Sequence, residues 1–138
     1  MARTAAEVEG LLREQGLALT PQRRAIVRHL LEHGGHFTAA EILEGITHQF
    51  PLASRATVYS TLGLLRELGV VAEVPGPSGE VRYDANTDPH QHFVCRRCGR
   101  LEDVPEAWFP VHLAPAARPG FAVERFRVLA EGLCAGCR

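Results

Sequence analysis

The stretch that decides the fold lies at residues 54–84 and reads SRATVYSTLGLLRELGVVAEVPGPSGEVRYD. Ser54 is a suitable N-cap, and apolar residues recur after it at helical spacing as far as Leu68, so a helix is predicted. Two short apolar runs then flank a turn rich in proline and glycine at residues 75–79, which indicates a β-hairpin. A helix followed directly by a hairpin is typical of the last helix and the wing of a winged helix-turn-helix domain.

Two further helices are predicted before this stretch. Thr20 and Pro21 have the form of an N-cap followed by proline at the first helical position, and the glycine pair at 34–35 ends that helix. Thr38 begins the next helix, and Glu41 three residues later completes a capping box. The N-terminal half is therefore predicted to contain three helices and a hairpin.

The outer face of the helix after Ser54 carries small side chains around one tyrosine. This composition suits close approach to a DNA groove, although a second buried face would look similar. Charge gives no support, because residues 1–84 hold eight arginines and ten acidic residues, and the chain has a net charge of -1. Arginines at helix starts can still meet phosphates. The predicted DNA-binding residues are Arg23, Ser54, Arg55, Ala56, Thr57, Tyr59 and Ser60.

A change of composition after the hairpin indicates a domain boundary. We predict a winged-helix domain at residues 1–84, a hinge at 85–89 and a second domain at 90–138. A domain of about fifty residues rarely holds together through its core alone, so a staple or an oligomer is expected. Three strands are predicted in the second domain, with a weak helix, restricted by prolines, between the second and third strands. Trp108 is interpreted as a core or interface anchor. The predicted strands cover residues 93–95, 100–104 and 121–130.

Four cysteines form two CxxC pairs in this second domain. The chain starts MARTAAEVEG and contains no run of about eighteen apolar residues, so we expect a cytoplasmic protein without a membrane partner. In that reducing compartment paired CxxC motifs favour a closed tetrahedral zinc site, with a redox dithiol or disulfides as the alternative. The predicted structural zinc ligands are Cys95, Cys98, Cys134 and Cys137.

A second group of possible metal ligands is weaker evidence. His90 and His92 are two residues apart, so both imidazoles should point to one side of a strand. An isolated HxH pair is more often an ordinary surface pair than a metal site. Spacing alone does not show whether His36, Asp84 and Asp103 join them.

Six motifs carry a family resemblance. They are LTPQRRAIVRHL, GHFTAAEIL, SRATVYSTLGLL, VRYD, HQHFVCRRCG and the terminal CAGC. In this order they resemble the ferric uptake regulator family across nearly the whole chain, and most closely its peroxide-sensing branch. The resemblance implies an α+β fold, in which an N-terminal winged helix-turn-helix domain precedes a small C-terminal α/β dimerisation domain stapled by zinc. It also implies a homodimeric repressor that binds a palindromic double-stranded DNA operator.

The resemblance further implies a regulatory site for Fe(II) or Mn(II). Iron-sensing relatives typically have glutamate at the position of Asp103, whereas the peroxide-sensing branch typically has aspartate. Peroxide would then oxidise a ligand histidine, at His36 or His90, and release the operator. Metal and hydrogen peroxide are the only small molecules expected to bind. The implied regulatory ligands are His36, Asp84, His90, His92 and Asp103.

Two alternatives stay open. Within the same family, the chain would be a manganese, iron or zinc uptake regulator, which differs in its effector and not in its fold. From another class, it would be a metal-binding redox protein or a metal buffer. No nucleophile and base constellation is visible, so an enzyme is not expected.

Overall fold

The computed structural model describes residues 3–112, 120, 122–123 and 126–138. The chain divides into two compact units, one ending at Asp88 and the other beginning at Pro89. Each unit contains one three-stranded sheet. A membrane-spanning helix is absent from the described residues.

Four helices form most of the N-terminal unit. Each begins after a threonine or serine whose hydroxyl oxygen accepts a hydrogen bond from the backbone N–H three residues later. The three predicted helices are present, and the first helix is an addition that sequence analysis missed. Its signal was available, because Thr4 and Glu7 form a capping box. The helices are α1 (Ala5–Glu14), α2 (Pro21–His33), α3 (Ala39–Thr47) and α4 (Arg55–Glu67).

The apolar stripes of these helices form the core of the N-terminal unit. α1 contributes Val8 and Leu12, both fully buried, so the helix that was not predicted is part of the core. The buried side chains of the other three helices include Ile26, Val27, Leu30, Ile42, Ile46, Val58, Leu62 and Leu65. This shared core holds the four helices as one body.

An antiparallel sheet completes the N-terminal unit. Its strands are β1 (His36–Phe37), β2 (Ala72–Pro75) and β3 (Val81–Asp84), with β3 in the middle. The predicted hairpin is therefore confirmed as β2 and β3. β1 was not predicted, because two residues are too few to show an alternating pattern. Its pairing places His36 opposite Asp84.

A mixed sheet forms the C-terminal unit. Its strands are β4 (Gln91–Cys95), β5 (Leu101–Val104) and β6 (Leu129–Gly132). The central strand β4 pairs antiparallel with β5 and parallel with β6. The first two strands lie within two residues of their predicted positions.

Two predictions for the C-terminal unit need correction. Within the predicted strand at 121–130, the described residues 122–123 and 126–128 are irregular, and β6 begins at Leu129, where the pairing with β4 begins; residues 121, 124 and 125 lie outside the described residues. The described part of the predicted helix is a three-residue 3-10 helix, Glu106–Trp108, while residues 113–119 lie outside the described residues. Trp108 is 66% exposed, so it is not a core residue of its unit.

Candidate metal centres

The four cysteines converge within the C-terminal unit. Each offers one sulfur, and the four sulfurs lie within 4.8 Å of one another. Cys95 ends β4, and the parallel pairing of β4 with β6 brings Cys134, two residues beyond β6, to the same end of the sheet. In the first CxxC turn the N–H of Gly99 donates to the Cys95 carbonyl at 2.9 Å, and Gly99 has a φ of 76°, which glycine adopts without strain.

The electrostatics of the cluster favour thiolate formation at one sulfur. Backbone N–H groups, first that of Cys98 and then that of Cys134, lower the pKa of Cys95 to about 6. The Cys134 N–H lies 3.4 Å from the Cys95 Sγ. Hydrogen bonding to Cys134 raises the pKa of Cys137 to about 12, so the metal-free cluster retains protons. A divalent cation would displace them.

The chemistry of this donor set fits zinc. Four soft sulfur donors from two CxxC pairs match a tetrahedral structural site with no position open for water. The Cys98 and Cys134 sulfurs are 3.8 Å apart, which suits two ligands of one ion. The group therefore fits a structural zinc site, which would join the turn after β4 to the segment after β6.

The N-terminal unit brings one imidazole and one carboxylate together. His36 and Asp84 are register partners on β1 and β3, and the His36 Nε2 lies 3.3 Å from the Asp84 Oδ2. Their side chains are only 7% and 4% exposed. The other oxygen of Asp84 accepts a hydrogen bond from the Asn86 N–H at 2.8 Å. Both side chains are thus held with potential ligand atoms facing each other.

The C-terminal unit brings two imidazoles to one carboxylate. The Nε2 atoms of His90 and His92 are 3.0 Å apart, and each lies 3.4 Å from the same Asp103 oxygen, Oδ1. His92 on β4 is the register partner of Asp103 on β5. The sequence-based expectation that both rings face one side is therefore confirmed. Three donor atoms from this unit converge on one point.

The predicted DNA-binding residues occupy the start of α4 and the start of α2. Tyr59 is 54% exposed, and Arg55, Ala56 and Ser60 are also exposed. Thr57 is half-buried, and its backbone N–H donates to the Ser54 hydroxyl at 3.3 Å, so Ser54 caps the helix.

Arg23 differs from the α4 residues because part of it serves the fold. Its guanidinium donates to the Ala18 carbonyl, and its Nε is buried. It therefore anchors the loop before α2, in addition to any contact with a partner.

One residue beside the N-terminal donor pair was missed by sequence analysis. Arg82, on β3, donates from Nη1 to the His36 carbonyl at 3.1 Å and contacts Glu41 at 3.2 Å. Its Nε lies 3.2 Å from Glu80. The contacts with His36 and Glu41 join residues more than forty positions apart, and no local pattern indicates them. The available signal was an arginine inside the family motif VRYD.

Known proteins match this chain over most of its length. The sequence profile of the ferric uptake regulator family matches residues 14–127. The peroxide-responsive repressor PerR of Staphylococcus epidermidis is 35% identical over 129 residues, which are 92% of this chain and 85% of that protein.

Solved structures give the same assignment. The ferric uptake regulator Fur of Helicobacter pylori has a TM-score of 0.75 with coverage of 99% of this chain and 95% of that chain; at 19% identity it shows the fold alone. A zinc uptake regulator complexed with zinc and DNA is 26% identical, with a TM-score of 0.65 and coverage of 96% and 91%. The predicted α+β fold with a winged helix is confirmed. The chain therefore belongs to the ferric uptake regulator family and is a metal-responsive regulator.

Proposed function

We propose that this chain is a metal-dependent repressor that binds a palindromic operator as a homodimer and senses peroxide. The observation that carries this proposal is the arrangement of donors inside each unit. One unit holds an imidazole against a carboxylate at 3.3 Å, and the other holds two imidazoles against a carboxylate at 3.4 Å. The proposal places the protein in the cytoplasm and gives it a regulatory role and no catalytic one.

A single Fe(II) or Mn(II) ion would take ligands from both units. Three imidazole nitrogens and two carboxylates suit these metals better than a soft-ligand metal, although affinity still rises towards zinc. The ligands are His36, Asp84, His90, His92 and Asp103. The chain between the two groups, residues 85–89, serves as the hinge.

Metal binding at such a divided ligand set would be linked to DNA binding. The ion binds best when both units present their ligands together, so it favours one arrangement of the domains over others. If the operator favours the same arrangement, each ligand strengthens the other. A coupling of about 1–3 kcal/mol would change operator affinity about 5–150-fold.

The exposed start of α4 supports DNA as the partner. Arg55 and Tyr59 are exposed there among small side chains, which leaves room for a base edge or a phosphate to approach. The relative solved with zinc and DNA has this fold at 26% identity.

Exposed apolar residues in the C-terminal unit support a homodimer. Large side chains exposed in a single chain often mark a protein interface, and a two-fold interface uses the same surface of both copies. A two-fold dimer would read a palindrome with its two copies of α4. The exposed residues are Trp108, Phe109, Val111, Val123 and Phe126.

Peroxide sensing is supported by the donor set and by the 35% identical peroxide-responsive repressor. When bound, Fe(II) would supply the redox chemistry by which hydrogen peroxide oxidises an imidazole: overall, one peroxide oxygen would be added to the ring and the other would leave as water. His36 and His90 are the rings proposed to take this oxygen. An oxidised ring is a poorer ligand, so the metal is lost and the repressor leaves its operator.

The second candidate is an uptake regulator for manganese, iron or zinc, because the same donors accept all three metals. Mass spectrometry after peroxide treatment separates the two. The Fe(II)-loaded protein is expected to gain one oxygen atom on the peptides that contain His36 or His90, and the Mn(II)-loaded protein is expected to gain none. Unmodified peptides from the Fe(II)-loaded protein would favour the uptake regulator.

A further inference from the structure

Arg82 connects the proposed ligand His36 to two other parts of the N-terminal unit. Its Nη1 donates to the His36 carbonyl at 3.1 Å and to Glu41, at the start of α3, at 3.2 Å. Its Nε donates to Glu80, in the turn of the hairpin, at 3.2 Å. The side chain is 22% exposed, so these contacts are partly shielded from water.

The main chain around His36 belongs to a short edge strand. β1 has only two residues and pairs with β3 alone, at the edge of the sheet. It follows Gly34 and Gly35, whose φ angles of 64° and 91° are adopted by glycine without strain. Glycine also has many accessible conformations in the unfolded chain. Thr38, the N-cap of α3, follows β1. The contacts that Arg82 makes with the His36 carbonyl and Glu41 add support to this short strand.

We infer that Arg82 is a positioning residue of the regulatory metal site. It holds the His36 main chain against β3 and the start of α3, so that the His36 imidazole faces Asp84 before an ion arrives. This inference rests on the proposed regulatory site, because it assumes that His36 and Asp84 are ligands. It assigns to Arg82 a role in metal affinity, whereas Arg82 itself binds no metal.

The side-chain chemistry explains why arginine stands at this position. The planar guanidinium offers several donors in fixed directions, so it can serve the His36 carbonyl and two carboxylates together. A lysine has a single nitrogen and would not reach all three acceptors in one geometry. Methionine keeps much of the apolar stem and removes every donor.

The test is a Mn(II) titration of the full-length, zinc-containing protein and of Arg82→Met. We expect the variant to bind Mn(II) about tenfold more weakly, at the lower end of the 10–100-fold range typical of residues that orient ligands. The matched control is Arg66→Met. It removes another arginine–glutamate pair of the same unit, in which Arg66 lies 2.7 Å from Glu73, and it leaves the contacts of His36 in place. Its Mn(II) affinity should equal that of wild type.

A second control separates the two arms of Arg82. Glu80→Gln weakens the contacts of the Glu80 carboxylate with Arg82 and with the Ser78 N–H, and it leaves the Arg82 donors to His36 and Glu41 in place. We expect Mn(II) affinity close to wild type in this variant. If Glu80→Gln weakens Mn(II) binding as much as Arg82→Met does, the support of His36 is not the cause and the inference fails.

The visible absorption spectrum of bound Co(II) gives a measurement that a general loss of stability would not change. Co(II) added to the zinc-containing protein reports on its ligands through its visible absorption. We expect the spectrum to change in Arg82→Met and not in Arg66→Met. Arg82→Lys should give an intermediate Mn(II) affinity, and it keeps the test decisive if Arg82→Met does not fold. Wild-type affinity in the lysine variant, or in folded Arg82→Met, would overturn the inference.

His36→Ala distinguishes this inference from the proposed function. If His36→Ala leaves Mn(II) affinity unchanged, the regulatory ligand set is wrong and the inference falls with it. If His36→Ala weakens binding and Arg82→Met does not, the ligand set stands and only the role of Arg82 is refuted.

Discussion

The cysteine group and the histidine–carboxylate donors are assembled in different ways. All four cysteines belong to one unit, where the pairing of β4 with β6 brings them together. The other donors belong to both units, with His36 and Asp84 paired in the first and His90, His92 and Asp103 grouped in the second. Folding of one unit is enough to complete the cysteine site. The cysteine group therefore suits a permanent structural ion, whereas the proposed regulatory site would be complete only when both units supply their ligands.

The largest expected effect comes from breaking the staple. Cys95→Ser removes the sulfur with the lowered pKa and leaves three thiols, so zinc affinity should collapse. Structural zinc in small domains contributes about 10–16 kcal/mol of apparent binding free energy, which here stabilises a unit of some fifty residues. We expect the C-terminal unit to lose its zinc and its fold. Metal analysis measures the zinc content, and limited proteolysis measures the loss of fold.

The N-terminal unit provides the control for that experiment, because its core contains no cysteine. Helical circular dichroism from α1 to α4 should survive in Cys95→Ser. Unfolding of both units in Cys95→Ser would show that the zinc site stabilises the whole chain. It would contradict the claim that the cysteine site belongs to the C-terminal unit alone.

His36→Ala should affect the conditional site alone. The variant loses one ligand of the proposed set, so its Mn(II) affinity should fall by more than the 10–100-fold associated with residues that only orient ligands. Its zinc content should stay at one ion per chain, because the cysteines lie in the other unit. Metal analysis and Mn(II) titration measure both quantities. Loss of zinc in this variant would be evidence against separate sites.

Gly45→Ala should weaken the N-terminal unit through packing. A Cβ at this position of α3 would overlap Cε1 of the His29 ring on α2. Overpacking of this kind costs about 1–3 kcal/mol, which outweighs the helix propensity gained on replacing glycine. Gly10→Ala in α1 meets no atom within 4 Å and should stabilise the protein by up to about 1 kcal/mol. Thermal unfolding of the two variants, with zinc bound, tests the contrast.

The smallest expected effect is a pH dependence of stability that comes from His29, the ring beside Gly45. Burial, and secondarily the nearby His33, lower the pKa of His29 below its usual 6.5. The unfolded chain then binds a proton more readily than the folded one, so stability falls as the pH drops through about 6.5 towards the folded pKa. His29→Gln should reduce the loss of melting temperature between pH 7.5 and pH 5.5. An unchanged loss would show that His29 is not the group responsible.

Local signals explain which parts could be predicted from the sequence. The caps at Thr20, Thr38 and Ser54 each involve residues within a few positions of one another, and all three form as expected. The hairpin of β2 and β3 likewise depends on one turn. Such features need no knowledge of the distant chain.

Long-range pairing explains what was missed. β1 is two residues long and exists because it pairs with β3, and the Arg82 contacts connect the same distant segments. The start of β6 is set by its partner β4 and not by its own pattern. Spacing also gave no sign that His36 and Asp84 meet; the family resemblance supplied that pair, and register explains it.

The most direct test of the account is operator binding with and without Mn(II). A duplex selected from a random-sequence library by the Mn(II)-loaded protein serves as the probe, and fluorescence anisotropy gives its affinity for zinc-containing wild type and His36→Ala. We predict that Mn(II) tightens wild-type binding about 5–150-fold and leaves His36→Ala unchanged. Equal wild-type affinity in the presence and absence of Mn(II), or an undiminished response in His36→Ala, would contradict the account.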